Sequence, residues 1–205
     1  PTLPEGINGG WLVSVVAGQS VAVLGAQLAP GFGAGEGGAL FFCLVMWLGS
    51  GMLYIWIISL IFYRYTFLKF TAGDLSPPYW INMGALAIST LAGSRLLLTV
   101  KDWDFLQGVA PFIQGLTLLY WCMATWWIPL LVIVGIWRHV VQHVLLRYDP
   151  QYWAMVFPLG MYTVATFVLV KATNLPMLSL VKKIGFTVKA PDEGVRRAEM
   201  SLVGD

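Results

Sequence analysis

Long stretches without a charged residue are the main feature of this chain. There are five of them, each able to hold the roughly 20 apolar residues that cross a hydrocarbon layer of about 30 Å as an α-helix. Apolar residues run continuously within them instead of alternating, which favours helices over barrel strands. The sequence therefore predicts an all-α integral membrane protein with about five spans. The spans, labelled A to E, cover residues 11–28, 39–63, 79–98, 109–137 and 152–170.

Composition supports a membrane location. Only 11% of the 205 residues are charged and 58% are hydrophobic, whereas a soluble domain carries roughly 25% charged residues. A soluble helical bundle of this size would lack a polar surface, so the apolar surface is expected to face the lipid bilayer. The net charge of +2 is too small to suggest a nucleic-acid partner.

The distribution of cations between the spans predicts their orientation. Linkers on the side of the N-terminus carry four cations and those on the opposite side carry two. These are Arg64, Lys69, Arg138 and Arg147 on the first side, and Arg95 and Lys101 on the second. Short cytoplasmic loops are enriched in Lys and Arg. We therefore expect a multi-pass protein of the plasma or inner membrane whose first side is cytoplasmic.

The chain changes character after Lys171. Residues 1–171 form the predicted transmembrane domain, and residues 172–205 form a polar, basic tail. Five spans would leave this basic tail outside the cell, whereas Lys and Arg are enriched on the cytoplasmic side. Either the topology is inverted or the tail is a degenerate last helix. The chain opens without an initiator Met or a basic leader, and we expect that it begins inside a longer protein.

Candidate chemical groups are few. His139 and His143 have the spacing with which a helix can place two ligands on one metal, but no suitable third ligand is near. An interfacial helix is the favoured interpretation of the segment from Arg138 to Asp149. No cofactor, metal or enzymatic activity is predicted, and a membrane enzyme acting on lipid-like substrates would have to use His139, His143 and Arg147.

Polar residues inside the spans are uncharged, which disfavours a proton relay and is compatible with a passive anion pathway. Their alternative role is hydrogen bonding between helices. Pro158 and Gly160 predict a kink in span E, where a carbonyl group freed by proline either finds a partner or lines a cavity. The candidate pore-lining residues are Gln19, Ser20, Asn82, Ser89, Thr90 and Thr163.

Several ordered stretches resemble one known family. SPPYWINMGALAIST at residues 76–90, YDP at 148–150 and WAMVFPLG at 153–160 are similar to the tellurite-resistance/C4-dicarboxylate transporter family, which includes malic acid transporters and slow anion channels. GGWL at 9–12 and VVAGQS at 15–20 look like its middle span. The resemblance covers roughly residues 5–175.

The resemblance implies ten helices, arranged as five hairpins around a central pore, in a homotrimer. Spans A to E would be the fifth to ninth helices, and A, C and E would line the pore, with Phe157 as the apolar plug of the ninth helix. The implied function is transport of small anions, by a channel or a carrier: C4-dicarboxylates such as malate, or inorganic anions, with a relation to tellurite resistance. Three inner helices cannot close such a pore, so a non-transporting fragment or subunit is the alternative.

Overall fold

The computed structural model describes residues 6–69, 71, 74–99, 103–145, 148–173, 186–188 and 198–200. Its bundle consists of five α-helices. These are α1 Val13–Leu28, α2 Glu36–Phe67, α3 Ile81–Leu98, α4 Asp104–Ile136 and α5 Trp153–Thr173. The sequence thus placed every helix, but α2 and α4 begin or end several residues outside spans B and D.

The three odd-numbered helices begin in the same way, with a short 3-10 turn. These turns are Gly9–Leu12 before α1, Pro77–Trp80 before α3 and Pro150–Tyr152 before α5. Asn8 and Asp149 cap two of them, each accepting a hydrogen bond from the backbone N–H two residues later at 2.8 Å. Such caps satisfy N–H groups that a helix start leaves without partners.

Four helical segments of the described residues are long and apolar enough to cross a membrane. The first, Gly9–Phe67, contains both α1 and α2, joined by the 3-10 turn Ala29–Gly35. Gly33 has a φ of 53° in this turn, a backbone conformation that favours glycine. Gly18 then contacts Ser50 and Gly25 contacts Cys43, so α1 and α2 run antiparallel. The first segment thus holds two antiparallel helices, and the all-α membrane fold is confirmed.

Helix α3 lies at the centre and packs against the other four helices. In its apolar window 78% of the residues are buried, against 22% in the corresponding windows of α4 and α5. Glycines permit this close packing: Gly93 contacts Thr117 of α4 and Trp47 of α2. Small residues let helix backbones approach closely in a membrane, where lipid is as apolar as the helices themselves.

Buried indole groups join the helices through hydrogen bonds. Trp47 of α2 donates from Nε1 to the carbonyl oxygen of Ser89 on α3 at 2.9 Å. Trp127 of α4 donates to the hydroxyl of Tyr54 at 3.1 Å, and Tyr54 donates to the carbonyl oxygen of Asn82 at 3.3 Å. An indole N–H in an apolar interior needs such a partner, so these bonds fix which faces of α2, α3 and α4 meet.

The helix predicted for the segment from Arg138 to Asp149 is correct only at its start, because the helical segment that contains span D ends at Val141. After Ile136 the chain forms a π-helical turn, Trp137–Val141, in which the N–H of Gln142 donates to the carbonyl oxygen of Trp137 at 2.9 Å. His143 has a φ of 53°, a left-handed backbone conformation that ends the helix. His139 and His143 therefore do not share a helix face.

Only two short pieces of the tail are described. Phe186–Val188 and Ala198–Met200 pair as antiparallel strands, with Thr187 opposite Glu199. The rest of residues 174–205 lies outside the described residues, so the expectation of a degenerate last helix stays a prediction.

Candidate functional site

Helices α1, α3 and α5 run parallel and lie side by side. Their starting turns contact one another, and Gly9 packs directly on Pro78. At mid-depth Leu91 of α3 packs with Ala165 and Val168 of α5, and Val23 of α1 packs against the same cluster. Helices α2 and α4 run in the opposite direction. The odd-numbered helices therefore lie next to one another in the order α1, α3, α5, and their place in the inner ring of a pore stays a prediction.

Pro158, at the predicted kink of α5, packs against α3. Pro158 is buried, and a Cβ placed on Gly84 of α3 would lie only 2.8 Å from its Cγ. Phe157, the preceding residue, has 48% of its surface exposed. Gly160 is also exposed, and a Cβ there would meet nothing within 4 Å. The proline thus serves helix packing, while the neighbouring ring is only half covered.

Four of the candidate pore-lining residues are buried between helices. Gln19, Asn82, Ser89 and Thr90 have no exposed surface. Gln19 donates from Nε2 to the carbonyl oxygen of Trp47 at 3.0 Å. Ser89 and Thr90 donate to backbone carbonyl groups four residues earlier, at 2.7 and 2.9 Å. This arrangement favours the packing alternative for these four residues, and their contact with a pore stays a prediction.

The other two candidates, Ser20 and Thr163, are exposed. Their hydroxyl groups donate to the carbonyl oxygens of Val16 and Leu159, at 2.8 and 3.1 Å. A hydroxyl has one hydrogen to donate, and in these rotamers that hydrogen is used within the helix. Each hydroxyl therefore has no donor left for an approaching anion. Rotation about χ1 would release the donor.

A buried ionic network was missed by sequence reasoning. Arg64, in the last turn of α2, donates to the carbonyl oxygen of Ile7 at 2.6 Å, to the hydroxyl of Tyr79 at 3.2 Å and to Asp74 at 2.7 Å. The hydroxyl and the backbone N–H of Thr71 donate to the second carboxylate oxygen of Asp74, at 2.7 and 2.9 Å. These bonds from Thr71, together with the charge of Arg64, hold the pKa of Asp74 below its ordinary value.

This network joins the start of the chain to α2 and α3. Ile7 and Arg64, which are far apart in sequence, are hydrogen-bonded in it. The residues of the network do not follow the spacing of one helix or one strand. The sequence showed Arg64 and Asp74 only as charges in one linker. Their pairing depends on how the helix ends meet.

The two histidines belong to no group of three or more candidate metal ligands among the described residues. His139 forms a hydrogen bond from Nδ1 to the carbonyl oxygen of Val144 at 2.8 Å, and because a carbonyl only accepts, this nitrogen carries the proton. No three His, Cys, Asp or Glu side chains gather there as a metal site. Arg147 lies outside the described residues.

These features define a multi-pass helical membrane protein whose inner layer is held together by small residues and uncharged hydrogen bonds. The chain belongs to the voltage-dependent anion channel family, whose model matches residues 1–189. This confirms the family resemblance and points to a transport protein rather than an enzyme.

Several curated proteins are similar to the chain. An uncharacterised membrane protein of Mycobacterium tuberculosis is 38% identical over 129 residues, which are 63% of this chain and 65% of that protein. Two uncharacterised transporters of Methanocaldococcus jannaschii are 24% and 23% identical over 181 residues, which are 88% of this chain and 50% of each transporter. The chain thus spans between half and two thirds of these relatives. No solved structure gives a significant match.

Proposed function

We propose that the chain forms part of a transmembrane pathway for anions. The observation that carries this proposal is the parallel layer of α1, α3 and α5 in a member of an anion channel family. Residues 82–94 of α3 are all buried, so such a pathway would run along the exposed sides of α1 and α5, and further helices facing them would enclose it. The transporters of M. jannaschii, of which the match covers half, are long enough to supply such helices.

Phe157 is the proposed gate of this pathway. Its ring is apolar and half exposed, and the contact of Pro158 with Gly84 fixes the backbone beside it. An apolar ring in a narrow pore stops ions both by its volume and by drying the constriction. The kink would therefore serve to hold the ring in place, while Gly160 leaves open space one turn deeper.

The proposed substrates are small anions, including C4-dicarboxylates such as malate and inorganic ions such as chloride. Ser20 and Thr163 provide uncharged polar atoms on exposed surface. A pathway lined in this way would select by size and by the cost of removing water, because none of the six candidate pore-lining residues carries a charge that would retain a doubly charged acid. Assembly as a homotrimer in the plasma or inner membrane belongs to the same proposal.

The test is anion flux in liposomes that contain the protein encoded by the complete gene. Chloride and labelled malate are compared in the same preparation, with empty liposomes as the control. Flux of either anion above the control supports the proposal, and the ratio of the two identifies the preferred substrate. Absence of flux for both, in protein that also carries Phe157→Ala, would establish the non-transporting alternative.

A further inference from the structure

A deep groove opens between the ends of α2 and α4. It has a volume of about 860 Å³ and is lined by the last turns of α2, the turn Pro77–Trp80, the last three turns of α4, the π-helical turn and the start of α5. Along α4 and the π-helical turn the lining runs from Trp126 to Val140, a rise of roughly 20 Å. One leaflet of the hydrocarbon core is about 15 Å thick. The groove therefore has the depth of one leaflet plus part of the headgroup layer.

The walls of the groove are apolar and aromatic. Eight of its 21 lining residues are Phe, Tyr or Trp, among them Phe62, Trp80 and Trp137. Aromatic rings concentrate where hydrocarbon meets headgroups, which matches the position of this groove at the helix ends. Ile136 and Val140, at its edge, are 54% and 63% exposed, so the groove is open sideways to lipid. Its ordinary contents should thus be hydrocarbon chains.

The polar end of the groove is basic. Arg138 is the one permanently charged residue of the lining, and the lining contains no carboxylate. The π-helical turn Trp137–Val141 carries this side chain to Leu75, whose carbonyl oxygen accepts a hydrogen bond from Nη1. The Nε of Arg138 is buried and has no partner among the described residues. Arg138 as a whole is half-buried, and a guanidinium with an unsatisfied N–H at the edge of an apolar groove favours an anionic acceptor such as a phosphate.

We propose that this groove binds one anionic phospholipid, with an acyl chain between α2 and α4 and the phosphate at Arg138. The site is separate from the anion pathway, since α2 and α4 lie behind the layer of α1, α3 and α5. An anionic lipid fits better than a zwitterionic one because none of the described lining residues is a carboxylate that could receive an ammonium group. Basic pockets between membrane helices bind anionic headgroups through this combination of apolar depth and surface charge.

The first test measures lipid preference. The chain, purified in detergent, is exchanged with phosphatidylglycerol or phosphatidylcholine carrying the same acyl chains, and bound lipid is counted by native mass spectrometry. We expect one retained phosphatidylglycerol and a preference that falls about fivefold in Arg138→Gln, since one cation near the surface contributes roughly that factor. Glutamine keeps a polar side chain without the charge. Lys171→Gln, an exposed cation at the opposite end of α5, should leave the preference unchanged.

The second test fills the groove without altering charge. Gly135 lines it, and a Cβ there meets nothing within 4 Å, so Gly135→Phe should fold and should expel both lipids. Gly115→Phe is the matched control, because Gly115 lies on the same helix with equal open space outside the groove. Wild-type lipid binding by Gly135→Phe, or an unchanged preference in Arg138→Gln, would overturn the proposal. The proposal would also be overturned if the wild type bound no lipid and formed dimers or trimers that Gly135→Phe does not form, because a second copy of the chain would then fill the groove.

Discussion

Pro158 of α5 packs directly against Gly84 of α3. A methyl group on Gly84 would lie 2.8 Å from Cγ and 2.9 Å from Cβ of the proline, closer than such atoms approach in proteins. The contact therefore requires glycine on α3. Phe157, one residue before the proline, is half exposed.

Gly84→Ala should force α3 and α5 apart at this contact. Overpacking of this kind costs about 1–3 kcal/mol, so the midpoint of thermal unfolding in detergent should fall. Gly115→Ala is the control, because a Cβ at that position meets nothing within 4 Å. If both variants unfold at the wild-type temperature, the contact does not constrain the two helices.

Phe157→Ala should raise anion conductance in the complete protein, because it removes the apolar ring proposed to close the pathway. The fold should tolerate the change, since 48% of the ring surface is exposed. A fully packed Phe would instead cost about 3–5 kcal/mol on truncation, and activity would fall with expression. Conductance is measured per molecule at the surface. Phe167→Ala, an exposed ring on the same helix, serves as control and should leave conductance unchanged.

Gln19→Leu should change stability, and Ser20→Ala should change anion selectivity. Gln19 is buried and bonded to the backbone of Trp47, and an interhelical bond in a membrane contributes about 0.6 kcal/mol, so its loss should lower the unfolding temperature slightly. Ser20 is exposed, and its replacement should leave stability unchanged while altering the relative flux of malate and chloride. A selectivity change confined to Gln19→Leu would place that residue, rather than Ser20, in the pathway.

Asp74→Asn should destabilise the protein at neutral pH by about 1–3 kcal/mol, because Arg64 would lose its carboxylate partner while remaining buried. The pKa of Asp74 is lowered in the folded state, so its contribution is fully present above the unfolded value of about 3.9. It is lost as the pH falls from there through the folded pKa.

Unfolding of the wild type and of Asp74→Asn should therefore be compared at pH 7 and below pH 4. The difference between them should shrink in acid, and Asp104→Asn, which replaces an exposed carboxylate, should show no such trend. A constant difference across this range would mean that the charge of Asp74 contributes nothing.

Membrane orientation is open to a direct test. Positive charge on the linkers predicts that residues near Lys69 and Arg147 are cytoplasmic and that those near Gly33 and Lys101 face outward. Lys69→Cys and Phe32→Cys, in a chain whose Cys43 and Cys122 are replaced by Ala, should react with an impermeant thiol reagent from opposite sides. Labelling of Lys69→Cys from outside would reverse the orientation.

The sequence by itself determined the five helices, their membrane location and the family. Those features depend on the length of apolar runs, the position of charges and short ordered motifs, all of which are local in the chain. The caps at Asn8 and Asp149 are local too, since each side chain bonds a backbone group two residues away.

Only the tertiary structure decided which polar residues are buried. Gln19 and Ser20 are neighbours in sequence, but successive residues of a helix point about 100° apart, and the position of α2 buried the first and left the second exposed. Arg64 and Asp74 paired for a similar reason, because the ends of α2 and α3 bring their linker over the start of the chain. In a membrane-spanning helix all sides are apolar, so the hydrophobic pattern predicts that the helix spans but not which of its faces contacts the neighbouring helices. The contacting face depends on glycines such as Gly84 and Gly93 and on the side chains that pack against them.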